Sequence, residues 1–125
     1  MSRRKGFTLI ELLVVMAIVS VLLSIVVPRY MHQADRAKEA ALKENLNALR
    51  SALDHYYGDK GAYPEKLTDL VNGRYLRSLP LDPVTGRRDS WVPIMRDEEG
   101  GKKVVQDVQS GASGNGMDGT SFRTW

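Results

Sequence analysis

The sequence predicts an α+β chain: one long N-terminal helix, kinked near its middle and apolar in its first half, packed on a small antiparallel sheet. Three observations lead there. Residues 7–27 form an apolar run with a single charge, Glu11. Beyond it, Leu42, Leu46, Leu49, Leu53 and Tyr56 recur at steps of 4, 3, 4 and 3, which is one face of a helix. Near the end, the short stretches 91–96 and 104–109 flank a charged turn at 97–103, the pattern of a hairpin.

The apolar run comes first. Its 21 residues make a helix about 31 Å long at roughly 1.5 Å per residue. A bilayer core is about 30 Å thick, so the run is long enough to span one. It is too long for the apolar segment of a secretory signal peptide, and no small-x-small cleavage site follows it. A plain membrane anchor accounts for the length and for the basic residues Arg3, Arg4 and Lys5 in front, but not for Glu11. A charge at the centre of a spanning helix costs about 2.5–3.5 kcal/mol, less near an end, and marks function by default. Pro28 then closes the apolar pattern, and its ring conflicts with the carbonyl of Ser24, which predicts a bend.

The formal net charge of +3 is carried by Arg3, Arg4 and Lys5; without them 15 basic side chains face 15 acidic ones. The basic character therefore gives no argument for nucleic-acid binding. It argues for topology: basic residues stay on the cytoplasmic side and the C-terminal part lies on the other. Arg29, Arg36 and Lys38 beyond the run weaken that bias, although Asp35 and Glu39 accompany them.

Residues 29–57 read as an amphipathic continuation of the helix, with Ala34, Ala37 and Ala41 extending the leucine face towards the membrane. Gly58 and Gly61 are the expected terminators. Pro64 suits a first helical turn, and Leu67, Leu70 and Val71 make a short apolar face that Asn72-Gly73 stops. Tyr75, Leu76 and Leu79 are expected to cover the long helix. Residues 79–86 are turn-rich, with Asp82-Pro83 and a later Gly86. Residues 91–96 read as a strand that Pro93 distorts or confines to an edge. Residues 104–109 read as its partner, with Val104, Gln106 and Val108 on one face. Residues 110–119 hold four glycines and no periodicity, so they form a loop; 122–125 read as a short closing strand.

No catalytic constellation is legible. There is no cysteine, which excludes disulfides and thiol chemistry. His32 and His55 lie too far apart along one helix to share a metal. There is no G-x-S-x-G, and Gly111, Gly114, Gly116 and Gly119 do not lie between a strand and a helix as a phosphate loop requires. A membrane-tethered enzyme or solute-binding module finds no site in the residues after Val27.

The stretch GFTLIELLVVMAIVSVLLSIVVP resembles the N-terminal segment of the type IV pilin and pseudopilin superfamily. The resemblance implies a pilin-like fold. It implies cleavage by a prepilin peptidase between Gly6 and Phe7, N-methylation of the new N-terminal Phe7, and a role for Glu11 in assembly. The later stretch YPEKLTDLVNGRYLRSLPLDPVTG, and the end DVQSGASGNGMDGTSFRTW, are similar to the major pseudopilins of type II secretion systems. In those proteins the terminal loop binds calcium. Carried over, the ligands here would be Asp107, Ser110 and Asp118, with Asn115 between them. Calcium takes six to eight oxygens, so backbone carbonyls and water would supply most of them.

The organisation implied is a cleaved basic leader (1–6), a transmembrane and assembly helix (7–28), the amphipathic second half of that helix (29–57), and a connecting segment with a C-terminal β domain and glycine-rich loop (58–125). The function implied is that of a non-enzymatic structural subunit, a major pseudopilin of the periplasmic pseudopilus, anchored in the bacterial inner membrane with its C-terminal domain periplasmic. Its partners would be further copies of itself, minor pseudopilins, the prepilin peptidase and an inner-membrane assembly platform, with no nucleic acid. The alternative is a pilin or minor pilin of a type IV or DNA-uptake pilus. The Asp82-Pro83-x-Thr85-Gly86 segment and the lack of cysteine favour the first.

Overall fold

The computed structural model describes residues 6–125; Arg3, Arg4 and Lys5, on which the expected topology rests, lie outside the described residues. One long helix, α1 (Leu9–Lys60), is followed by a short helix, α2 (Thr68–Asn72), a strand pair, β1 (Val92–Asp97) and β2 (Lys103–Gln109), and a single 3₁₀ turn (Phe122–Thr124). The chain divides into two compact units, one ending at Asp35 and one formed by Arg36–Trp125.

The first unit is a stretch of α1 with no core. From Phe7 to Val27 every side chain is exposed, and α1 is assigned without interruption across Pro28. The two serines of the run close their own hydrogen bonds on the helix. Ser20 donates to the carbonyl of Met16 at 2.7 Å, and Ser24 to that of Val21 at 2.6 Å. Neither hydroxyl would enter lipid unpaired, where an unmade hydrogen bond is expensive.

The second unit holds the core. Leu42, Leu46, Leu49, Ala52 and Leu53 of α1 pack with Leu67, Leu70, Trp91, Val105, Val108, Ala112 and Phe122, and Tyr56, Tyr75, Leu76 and Leu79 cover the rim. The 4-3-4 leucine stripe is thus the buried face of α1, as its spacing predicts. Each fully buried leucine contributes about 1.5–3 kcal/mol by leaving water. The alanines do not extend this face as expected: Ala37 and Ala41 are exposed, and burial begins at Leu42. Trp91 is buried with its indole N–H donated to the carbonyl of Pro80 at 2.7 Å, so its one polar atom is paired.

Four expectations are corrected. Gly58 does not end α1, which runs to Lys60. The terminator is Gly61, whose φ of 72° is the left-handed cap and whose N–H donates to the carbonyl of Tyr57 at 2.8 Å. Pro64 does not start a helix. It is buried ahead of α2, and its carbonyl accepts the N–H of Val105 at 2.7 Å, tying the connection to β2.

The third correction concerns the sheet. The antiparallel register passes from Ile94 opposite Asp107 to Met95 opposite Val105, so Gln106 is an extra residue on β2. A bulge shifts the in-out alternation by one position. Val105 and Val108 both enter the core cluster and Val104 is fully buried as well, so of the expected Val104–Gln106–Val108 face only Gln106 departs, being exposed. Finally, 122–125 is not a strand. Thr124 donates to the carbonyl of Ser121 at 3.0 Å and Trp125 to that of Phe122 at 3.3 Å, the i to i+3 bonds of a 3₁₀ turn.

Candidate functional site

Two regions carry the residues singled out by the sequence: the start of α1 and the loop after β2. At the first, Phe7 is 92% exposed. Gly6 is exposed, and a Cβ built on it would meet nothing within 4 Å among the described residues. The fold itself therefore places no steric demand for glycine at position 6. Thr8 caps the helix: its Oγ1 accepts the N–H of Glu11 at 3.2 Å. Glu11 lies in the first turn, where the exposed N–H groups and the helix dipole favour a negative charge. The pattern Thr-x-x-Glu before an apolar run is a capping signature readable in the sequence, and the sequence reading above did not use it. Gly6, Phe7 and Glu11 thus share one exposed helix start, with the only carboxylate of the apolar run at its N-terminal end.

The loop after β2 is organised differently from the calcium expectation. Asp107 pairs with Arg50, Oδ1 to Nε at 3.0 Å, and the same oxygen accepts the N–H of Val108 at 2.8 Å. Ser110 is fully buried. Its hydroxyl donates to Asp82 Oδ2 at 2.5 Å and its oxygen accepts the N–H of Ala112 at 3.1 Å. Asp118 Oδ1 accepts both the hydroxyl of Thr120, at 2.6 Å, and its backbone N–H, at 3.0 Å. These bonds, the hydroxyl first, hold the Asp118 carboxyl below its ordinary range. Among the described residues no three His, Cys, Asp or Glu side chains gather as a metal-binding group. As folded, Asp107, Ser110 and Asp118 each bond to a different partner: Arg50, Asp82 and Thr120.

Three residues that the sequence did not assign to this site, Asp82, Glu39 and Arg50, hold the region together. The buried Asp82 accepts the N–H groups of Val84 at 2.9 Å and Thr85 at 3.2 Å as well as the Ser110 hydroxyl. Asp-Pro followed by Thr and Gly signals that turn, but nothing local signals the serine 28 positions on. Glu39 of α1 accepts the N–H of Met117 at 2.5 Å. Arg50 of α1 donates to Asp107 and, through Nη2, to the main-chain oxygens of Val108 at 3.2 Å and Trp125 at 2.8 Å.

An exposed apolar helix start carrying one carboxylate, joined to a small α+β unit built on the same helix, defines a type IV pilin-like subunit. The family model described as prokaryotic N-terminal methylation motif matches residues 1–27. The model described as type II secretion system (T2SS), protein G, matches residues 29–115. The chain is 39% identical over 101 residues to the type II secretion system core protein G of Pseudomonas aeruginosa, covering 66% of this chain and 71% of that one. It is 38% identical over 99 residues to the same-named protein of Klebsiella pneumoniae, with 66% and 71% covered. It is also 30% identical over 122 residues to the fimbrial protein EcpC of Eikenella corrodens, with 94% and 78% covered. No solved structure matches the chain. The chain belongs to the protein G family of type II secretion systems, and is by that membership a major pseudopilin.

Proposed function

We propose that this chain is a non-enzymatic filament subunit. It waits in the inner membrane with Arg36–Trp125 on the periplasmic side, is cut by the prepilin peptidase between Gly6 and Phe7, is N-methylated at Phe7, and stacks with its own copies into the periplasmic pseudopilus. Minor pseudopilins and an inner-membrane assembly platform are the further partners that this reading requires. The 7–28 segment is then the transmembrane and assembly helix, 29–57 carries the globular unit, and 58–125 is its outer layer.

One observation carries the reading: residues 7–27 are exposed without exception and contain a single carboxylate, in the first helical turn. Apolar side chains exposed over that length need lipid or other helices around them. Inside a filament the carboxylate needs a cation, because an unpaired buried charge is strongly disfavoured. Cleavage creates one at the same depth, the α-amino group of Phe7. If α1, which begins at Leu9, continued back to Phe7, that amine would lie about 6 Å along the axis from Glu11. A pair made within one subunit gives no reason to join a neighbour. A pair made with an incoming subunit sets the axial stagger, as one polar residue sets the register of a coiled coil.

The test is Glu11→Val in a strain lacking the native gene. The variant is expected to insert and to be cut, yet to build no filament alone, and to enter filaments when wild-type chain is co-expressed. Filaments of normal stagger from Glu11→Val alone would remove the charge-pair account. The likeness to EcpC keeps a pilus subunit as the second reading. Loss of protein export with surface pili intact favours the pseudopilus, and the reverse favours the pilus.

A further inference from the structure

Around the loop 110–119, one oxygen of each acidic side chain, and the Ser110 hydroxyl, is already bonded within this chain. Asp107 is taken by Arg50 and the Val108 N–H, Ser110 by Asp82 and the Ala112 N–H, Asp118 by Thr120, and Glu39 by the Met117 N–H. One positive group stands where three segments meet. The guanidinium of Arg50, on α1, reaches Asp107 and the main-chain oxygen of Val108 on β2, and the main-chain oxygen of Trp125.

We propose that Arg50 does in this chain what the resemblance assigns to calcium: the C-terminal segment is clasped to α1 by an internal guanidinium, and the folded unit takes no structural calcium. A guanidinium offers five donors in a rigid fork and stays charged at every working pH, so one side chain serves several acceptors at once. Its bond to a carboxylate is of the stronger, charge-assisted kind. The surroundings disfavour a second cation. The cleft of about 300 Å³ against α1 is lined by Lys43, Arg50 and Asp118 as its charged groups, two cations to one carboxylate. Lys43 Nζ lies 4.6 Å from the centre of the Trp125 ring, adding positive charge on that side. A divalent ion at Asp107 would share that carboxylate with the Arg50 guanidinium and sit beside it, against like-charge repulsion.

The experiment is a thermal melt of the full chain in detergent micelles, in millimolar calcium or in chelator. The wild-type melting temperature is expected to be the same in both. Arg50→Gln is expected to melt about 5–10 °C lower, the shift that goes with losing several charge-assisted bonds in a unit of this size. Arg50→Lys should fall between them, since an ammonium is a point charge and cannot reproduce the fork. Arg87→Gln is the control: Arg87 and Asp89 are paired at 2.8 Å but exposed, and its loss should move the melt little. A wild-type melting temperature that rises in calcium overturns the proposal. So does an Arg50→Gln melt equal to wild type. If Arg50→Gln does not accumulate as folded protein, Arg50→Lys decides: a lowered melt supports the clasp and an unchanged one overturns it.

Discussion

Ser110 donates its hydroxyl to Asp82 at 2.5 Å, and neither side chain is exposed at all. The bond joins the turn at 82–87 to the first residue after β2. It also completes the donors around a buried carboxylate that otherwise has only the N–H groups of Val84 and Thr85. A buried carboxylate keeps its place only while such donors surround it.

Ser110→Ala should therefore cost about 1–3 kcal/mol, because it removes one donor to Asp82 and leaves the Ala112 N–H without its acceptor. In a unit of this size each kcal/mol is about 4–8 °C of melting temperature. A scanning calorimetry trace that matched wild type would show that the pair adds nothing beyond the two backbone donors.

The two halves of α1 should answer differently to the same truncation. Leu46→Ala empties a fully packed position and should cost about 2–5 kcal/mol. Leu22→Ala removes a side chain that is 56% exposed and should leave the melt of the folded unit unchanged while weakening association between chains. Denaturant unfolding followed by the buried Trp91 reads the first effect, and filament yield the second. Equal losses of stability from both variants would contradict the location of the core.

Asp118 gives a pH signature of known sign. Its folded carboxyl is held below its ordinary range, first by the Thr120 hydroxyl and then by the Thr120 N–H. A depressed carboxyl contributes stability that is present above its unfolded titration range and lost as the pH falls through the folded one. The group is exposed, so the contribution is small. The direct measurement is the side-chain carbon shift of Asp118 against pH. Its midpoint should lie below that of an unstructured aspartate and move back up in Thr120→Val.

The proposed processing would depend on Gly6 for reasons other than packing, since a Cβ there meets none of the described residues. Gly lacks a side chain, so a peptidase can approach its backbone closely. Gly6→Arg should leave the folded unit intact and the leader attached. Mass spectrometry of membranes should then find chains that still begin at Met1. Filament subunits with an intact Met1 terminus in the wild type would sink the processing step.

Local pattern already announces the apolar run with Glu11, the leucine stripe, the strand pair and the turn that joins the strands. Each is a regularity among near neighbours, and helix or strand geometry turns that regularity into a face. The positions that differ are those where distant segments compete for the same face. The extra residue at Gln106 leaves that side chain outside while Val105 joins Val104 and Val108 inside, and no pattern within β2 marks it. The end at 122–125 has the aromatic content of a strand, but Phe122 and Trp125 pack edge to face 5.0 Å apart within a 3₁₀ turn.

The candidate sites divide in the same way. Gly6, Phe7 and Glu11 are consecutive or one helical turn apart, so their shared location follows from chain connectivity alone. Arg50 meets Asp107 across 57 positions, Asp82 meets Ser110 across 28, and Glu39 meets Met117 across 78. The two pairings made by α1 follow from packing of its leucine face against Trp91, Val105, Val108 and Phe122, which brings Arg50 and Glu39 to β2 and the C-terminal loop. An acid in that loop reads as a metal ligand while its neighbours are unknown. The structure adds the partners that the sequence hides: an arginine from α1 for Asp107 and a threonine two positions on for Asp118.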